Sequence, residues 1–194
     1  MRYGSEHKQA TRQRIVAAAG RRFKRDGIDG AGISVLMKDA GLTNGAFYAH
    51  FESKDDLVAN AVADQLCIQR ASIDEQVRDR DGLERFVREY LSVTHRDSPE
   101  EGCPSAALLD EIGRSPNLIR DAYSDGVLAI IDDIAALLAP ADPQSARVRV
   151  LGGFATMVGT LQLSRALSGK ELADAVLEQG IQNVLTLLGT PSHD

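Results

Sequence analysis

Residues 32–57 read GISVLMKDAGLTNGAFYAHFESKDDL, and the fold follows from how this stretch must be punctuated. The spacing predicts a short helix from about Ile33 to Ala40, stopped at Gly41. Thr43 is placed to cap a second short helix from about Asn44 to His50. Ser53-Lys54-Asp55-Asp56 then opens a long amphipathic helix, with Ser53 as cap and Asp56 as the acidic partner of a capping box. Two short helices around a glycine turn, the second opening with polar residues, make a helix-turn-helix. Leu36, Ala40, Leu42 and Phe47 fall where two crossing helices bury apolar or small groups. The competing reading is an ordinary helical hairpin; the combination of turn, caps and basic flank argues against it.

Outward from this motif the periodicity stays helical. Ile15, Val16, Ala19 and Phe23 recur at helical spacing from about Glu6 to Arg25, and Gly27 suits the left-handed position after the last turn. After the helix that Ser53 opens, Leu83, Phe86, Val87, Tyr90 and Leu91 mark another. Residues 95–104, with Pro99, Gly102 and Pro104, read as a loop. Further helices are expected over 105–113, from Ser115-Pro116 to Leu138, from Pro143 to Leu167 and from Lys170 to Leu188. The expected fold is all-α, with about nine helices: a three-helix bundle carrying the helix-turn-helix over residues 1–54, then a helical domain over 55–194. Gly152-Gly153 lies within a helical pattern and lacks the strand-to-helix context of a nucleotide-binding loop.

Charge separates the two parts. The chain carries −6 overall, yet residues 1–58 hold ten lysines and arginines against seven acids, a surplus of three. The positive charge therefore gathers where phosphates would be neutralised. In a helix-turn-helix the leading end of the second helix enters the major groove. Thr43 can donate to a phosphate, Asn44 can pair in bidentate fashion with adenine, and Gly45 permits close approach. Tyr48, His50 and Lys54 offer a hydroxyl, an imidazole and an ammonium to flanking phosphates.

No apolar run approaches the roughly 20 residues of a membrane helix, and the start has no signal-peptide core, so a cytoplasmic protein is expected. Cys67 and Cys103 read as thiols in or near a core; a redox-sensing pair is the alternative. Together with His95 they match no closed zinc pattern, so no metal or other cofactor is expected. The four histidines are scattered, and no nucleophilic triad or carboxylate pair can be set on one face, so no catalytic residue is assigned and an enzyme is not expected.

The order AGLTNGAFYAHFESKDDL resembles the signature of the tetracycline-repressor (TetR/AcrR) family of bacterial regulators, with a match over roughly residues 8–68. The resemblance implies a homodimer that binds a palindromic double-stranded DNA operator, represses transcription and is released by a small-molecule inducer. The family's DNA contacts then fall on Thr43, Asn44, Gly45, Tyr48, His50 and Lys54. Two departures stand out. Ala31-Gly32 replaces the hydroxyl residue usual at the start of the first motif helix, moving that contact to Ser34 or losing it. Met37 replaces a small residue, which puts the packing of that helix in question.

An apolar or aromatic inducer would be lined by Phe86, Tyr90, Leu109, Ile112, Tyr123, Val127, Phe154, Met157 and Leu161, with plain core packing as the rival reading of each. Gly152, Thr156, Gly159 and Leu163, with Leu177, Ile181, Val184 and Leu188 on the last helix, are the expected dimer residues. Their pairing about a two-fold axis would form a four-helix bundle, the alternative being a stripe used wholly within the chain.

Overall fold

The computed structural model describes residues 2–189, and the described residues are helical throughout their regular elements. They comprise α1 (Arg2–Asp26), α2 (Ile33–Asp39), a 3-10 helix (Asn44–Ala49), α3 (Lys54–Gln76), α4 (Arg80–Tyr90), α5 (Val93–Asp97), a 3-10 turn (Pro99–Glu101), α6 (Pro104–Arg114), α7 (Asn117–Leu138), α8 (Pro143–Ala166) and α9 (Lys170–Leu188). Two compact units emerge: residues 1–68 with 100–126, and residues 69–99 with 127–194. Helices α3 and α7 each belong in part to both.

In the first unit the apolar stripe of α1, with Ile15, Ala19 and Phe23 wholly buried, packs with Leu36 and Met37 of α2 and Phe47 of the 3-10 helix. Leu57 and Val58 supply the α3 side of this core. Met37 is fully buried, so the larger side chain is accommodated inside the bundle and not displaced to its surface. Ser53 caps α3 by accepting from Asp56 N at 3.1 Å. The Asp56 carboxylate reaches back one residue further than a standard capping box, accepting from Glu52 N at 3.1 Å.

The second unit is organised around the antiparallel pair α8 and α9. A Cβ at Gly180 would collide with Thr160, and one at Gly153 would lie 3.1 Å from a Leu188 methyl, so glycines let the two backbones approach closely. Ser164 adds a buried hydrogen bond to the carbonyl of Ala173 at 3.0 Å. Asp79 caps α4 through Gly82 N at 2.7 Å, and the Leu83, Phe86, Val87 and Tyr90 stripe of α4 is buried.

The segment read as a loop over 95–104 is a correction. Ser92 caps the short helix α5 by accepting from His95 N at 3.1 Å, and a 3-10 turn follows. Five residues are too few for a hydrophobic period to show, and the adjacent Pro99, Gly102 and Pro104 dominate the local signal.

Candidate nucleic-acid interface

The turn between α2 and the 3-10 helix depends on Gly41, whose φ of +68° lies in the left-handed region that other residues avoid. Gly41 N donates to Lys38 O at 2.9 Å and Leu42 N to Met37 O at 2.8 Å, closing the end of α2. Thr43 follows in extended conformation and occupies the N-cap position, but its hydroxyl makes no capping bond, contrary to the cap expected from its position. The backbone instead tightens into a 3-10 helix, with Ala46 N donating to Thr43 O at 3.0 Å.

Phe47 anchors this short element. It is 0% exposed, stacks on Phe51 with ring centroids 5.8 Å apart and meets Tyr48 edge-on at 5.1 Å. With that face buried, Thr43, Asn44 and Gly45 are turned to solvent and Tyr48 is 74% exposed. Gly45 has no positive φ, and a Cβ there would meet nothing within 4 Å. Neither backbone strain nor crowding inside the chain therefore calls for glycine at this position. Ser34 is exposed on α2.

The flanking candidates are more constrained. Lys54 is half-buried and its Nζ donates to Ile28 O at 2.6 Å, which leaves two of the three ammonium protons for other acceptors. His50 is half-buried with Nδ1 sealed from solvent and without a hydrogen-bond partner. Burial, reinforced by the positive fields of Lys8 and Arg12, lowers its pKa below the usual imidazole value. The lowered pKa favours the neutral ring, and an Nδ1 with no acceptor favours the tautomer that carries its proton on Nε2. Arg12 lies 4.5 Å over the Phe51 ring and donates to Asn60 Oδ1 at 3.2 Å, tying α1 to α3.

A second tie joins α1 to α2. Arg22 grips Asp39 through Nε at 2.6 Å and Nη2 at 2.9 Å, and donates to Asp26 through Nη1 at 2.6 Å. The hydrogen bonds from Arg25 and Arg22 bring the Asp26 carboxyl down to about 2, and Arg22 lowers Asp39 as well. Both groups then favour the folded state above the unfolded carboxyl pKa of about 4, and that contribution is lost as pH falls below it, for Asp26 as pH approaches about 2. Melting of wild type and Arg22→Ala across pH 4 to 2 should accordingly show a steeper acid loss in the wild type. Parallel curves would remove the pair from the account.

The expected ligand residues divide between the units. Phe86, Tyr90, Val127, Phe154, Met157 and Leu161 lie in the second, where Tyr90 meets Phe86 at 6.0 Å and Phe154 at 6.4 Å between ring centroids. Leu109, Ile112 and Tyr123 lie in the first; Leu109 is 38% exposed, and the Tyr123 hydroxyl donates to Ser105 Oγ at 3.0 Å. Of the expected dimer residues, Leu177, Ile181, Val184 and Leu188 are buried within their own unit. Gly159 and Leu163 face solvent, Gly152 and Thr156 are half-buried, and Val148, Leu151 and Ala155 extend the same face of α8. Leu172 and Leu187 add exposed apolar surface on α9.

Residues 15–61 match the sequence profile of the family described as bacterial regulatory proteins, tetR family. The chain is similar to the HTH-type transcriptional regulator LmrA of Bacillus subtilis (strain 168), 27% identical over 117 residues, 58% of this chain and 62% of that protein. It is 43% identical over 49 residues to the HTH-type transcriptional regulator AcrR of Shigella flexneri, 25% of this chain and 23% of that one. The chain thus matches less than two thirds of the length of either regulator. Its fold resembles that of the transcriptional regulator FadR of Bacillus subtilis, solved in complex with stearoyl-CoA, with a TM-score of 0.65 and 18% identity, covering 93% of this chain and 99% of that one.

Proposed function

This chain belongs, through residues 15–61, to the tetR family of bacterial regulatory proteins, and we propose on that premise that it is a DNA-binding transcriptional regulator controlled by a small molecule. The observation that carries the reading is the exposed leading end Thr43-Asn44-Gly45, held by the buried Phe47 beneath it. In this reading Asn44 recognises a base edge. Gly45 lets the backbone come close to DNA, which gives a reason for a glycine that the fold itself does not require. Thr43, Tyr48, His50, Lys54 and Ser34 contact phosphates.

Residues 1–54 form the DNA-binding part and residues 55–194 the sensing and pairing part. Two chains associate through the exposed apolar face of α8 and α9, read a palindromic operator and block transcription. An apolar or aromatic inducer lodges among Phe86, Tyr90, Val127, Phe154, Met157 and Leu161. That choice of ligand class draws support from FadR, which holds stearoyl-CoA in its crystal structure. A near-complete release requires the inducer to favour one state by about 5.5 kcal/mol.

The test separates base from phosphate contacts. With a duplex selected from a random pool by the wild-type protein, Asn44→Ala is expected to lose about 1–3 kcal/mol of discrimination against substituted bases. Lys54→Ala should reduce the salt slope by about one on selected and scrambled duplexes alike, beyond whatever the selected duplex also loses with the bond to Ile28 O. Binding measured by fluorescence anisotropy over a salt series reads both; the reverse pattern contradicts these roles.

A further inference from the structure

The connection from α1 to α2 runs Gly27-Ile28-Asp29-Gly30-Ala31-Gly32, anchored from within by the buried side chains of Ile28 and Ala31 alone. Glycine gives up the most backbone freedom on ordering, and this segment has three. Gly32 fills the N-cap position of α2 and has no side chain with which to cap it. Yet Ile28 is buried, at 7% exposure, so its peptide has little access to water as a substitute partner.

Two side chains from elsewhere in the same unit supply what the turn lacks. Glu111 of α6 accepts from Ile28 N at 2.8 Å and from Asp29 N at 3.3 Å, both through Oε2. Lys54 at the start of α3 donates to Ile28 O at 2.6 Å. The residue Ile28 is therefore held at its N–H by a carboxylate acceptor and at its C=O by an ammonium donor, and bonds to charged side chains are the strong class. Gly27 makes this possible twice over. Its φ is +81°, and a Cβ there would lie 2.9 Å from Glu111 Oε1. The segment leading into α6 is tied to α1 independently, through Lys24 Nζ donating to Gly102 O at 2.8 Å.

Helix α2 is consequently held at both ends by contacts outside itself. Arg22 holds its C-terminal end through Asp39, and the clamped turn holds its N-terminal end. Without the clamp, α2 keeps its buried Leu36 and Met37 and the Arg22–Asp39 pair, but its N-terminal end loses its fixed approach, and the 3-10 helix joined to α2 through Gly41 shifts with it.

We propose that Glu111 is a positioning residue for DNA binding: its carboxylate fixes the 27–32 turn and, through that turn, the placement of α2 and of the recognition segment 43–49. Glu111 lies outside the matched segment 15–61 and touches no DNA in this account. The inference rests on the DNA-binding reading above.

The experiment uses the full chain with Glu111→Ala and Glu111→Gln. The probes are a duplex selected from a random pool by the wild type and a scrambled duplex of equal length. Glu111→Ala should weaken the selected duplex about tenfold or more, the scale of losing a hydrogen bond to a charged group, and weaken the scrambled one by less, since only the phosphate contacts of the segment are lost there. Glu111→Gln, which keeps an acceptor oxygen, should recover most of the loss. Amide exchange at Ile28 and Asp29 should accelerate in Glu111→Ala while Leu36 stays protected. A purely stabilising role would lower the melting temperature and leave affinity unchanged well below it.

Glu111→Ala binding the selected duplex as tightly as the wild type, or Glu111→Gln binding no better than Glu111→Ala, overturns the proposal. Should Glu111→Ala fail to fold, Glu111→Asp decides: the retracted carboxylate should give intermediate affinity, and wild-type affinity overturns the proposal. A wild type that selects no duplex at all sinks the DNA-binding reading itself. Selection by the wild type with equal binding by Glu111→Ala sinks this proposal alone.

Discussion

Phe47→Ala is expected to cost about 3–5 kcal/mol of stability and to abolish DNA binding. The side chain is fully buried, and its ring stacks on Phe51 and meets Tyr48 edge-on. Truncation removes the apolar burial and leaves a cavity, while two aromatic contacts, each worth about 0.5–1.5 kcal/mol beyond area burial, are lost as well. The six-residue 3-10 helix has little else to hold it, since Thr43 gives no side-chain cap. A loss of this size is a large share of the roughly 5–15 kcal/mol that keeps a domain folded. Urea unfolding of wild type and variant measures it. A loss under about 1 kcal/mol would mean that the cavity collapses at little cost and that Phe47 does not set the exposed leading end.

Ala155→Arg is expected to turn a dimer into a monomer. Ala155 sits midway along the exposed α8 face that runs through Val148, Leu151, Gly159 and Leu163, with Leu172 and Leu187 exposed on α9. Val148 is 79% and Leu163 53% exposed, at the two ends of a face that runs about four turns. In the proposed dimer this apolar face is the interface. An unpaired guanidinium at its centre would face a desolvation penalty of several kcal/mol, and every 1.4 kcal/mol is a tenfold loss of association. The position is exposed within the single chain, so the fold should survive. Sedimentation equilibrium at micromolar concentration checks both halves: a monomeric wild type, or a variant still dimeric, contradicts this interface. Loss of the dimer should carry operator affinity with it, because a monomer engages one half-site.

The long helices were legible because each carries a stripe of apolar residues sustained over several turns. The stripes of α1 and α9 point to the residues that the structure buries, such as Phe23 and Val184. Gly27 and Gly41 were legible for a different reason: each ends a helical pattern, and both adopt positive φ. Elements of five residues or fewer were not, nor was the helix type of the segment after Thr43. Periodicity needs more than five residues to show, which hid α5, and nothing local distinguishes an α-helical from a 3-10 turn over Asn44–Ala49. The last helix illustrates a subtler limit. The apolar stripe of α9 marks burial without naming the partner, and Leu177, Ile181, Val184 and Leu188 are consumed inside their own unit.

Long-range polar pairs left no trace in the sequence at all. Lys54 was read as a phosphate ligand from its place after the motif, while its bond to Ile28 O depends on a contact 26 residues away. Glu111 and Ile28 are 83 residues apart, and only the folded bundle brings them together. Arg12 was one of the ten cations counted over residues 1–58; its packing over Phe51 was equally hidden.

Dimethyl sulfate reactivity of guanine N7, on the major-groove edge, tests most directly whether the end of the segment starting at Thr43 enters that groove. On the duplex selected by the wild-type protein, N7 protection is expected in two symmetry-related half-sites about 34–36 Å apart or somewhat more. Binding that leaves every N7 as reactive as in free DNA would contradict the account.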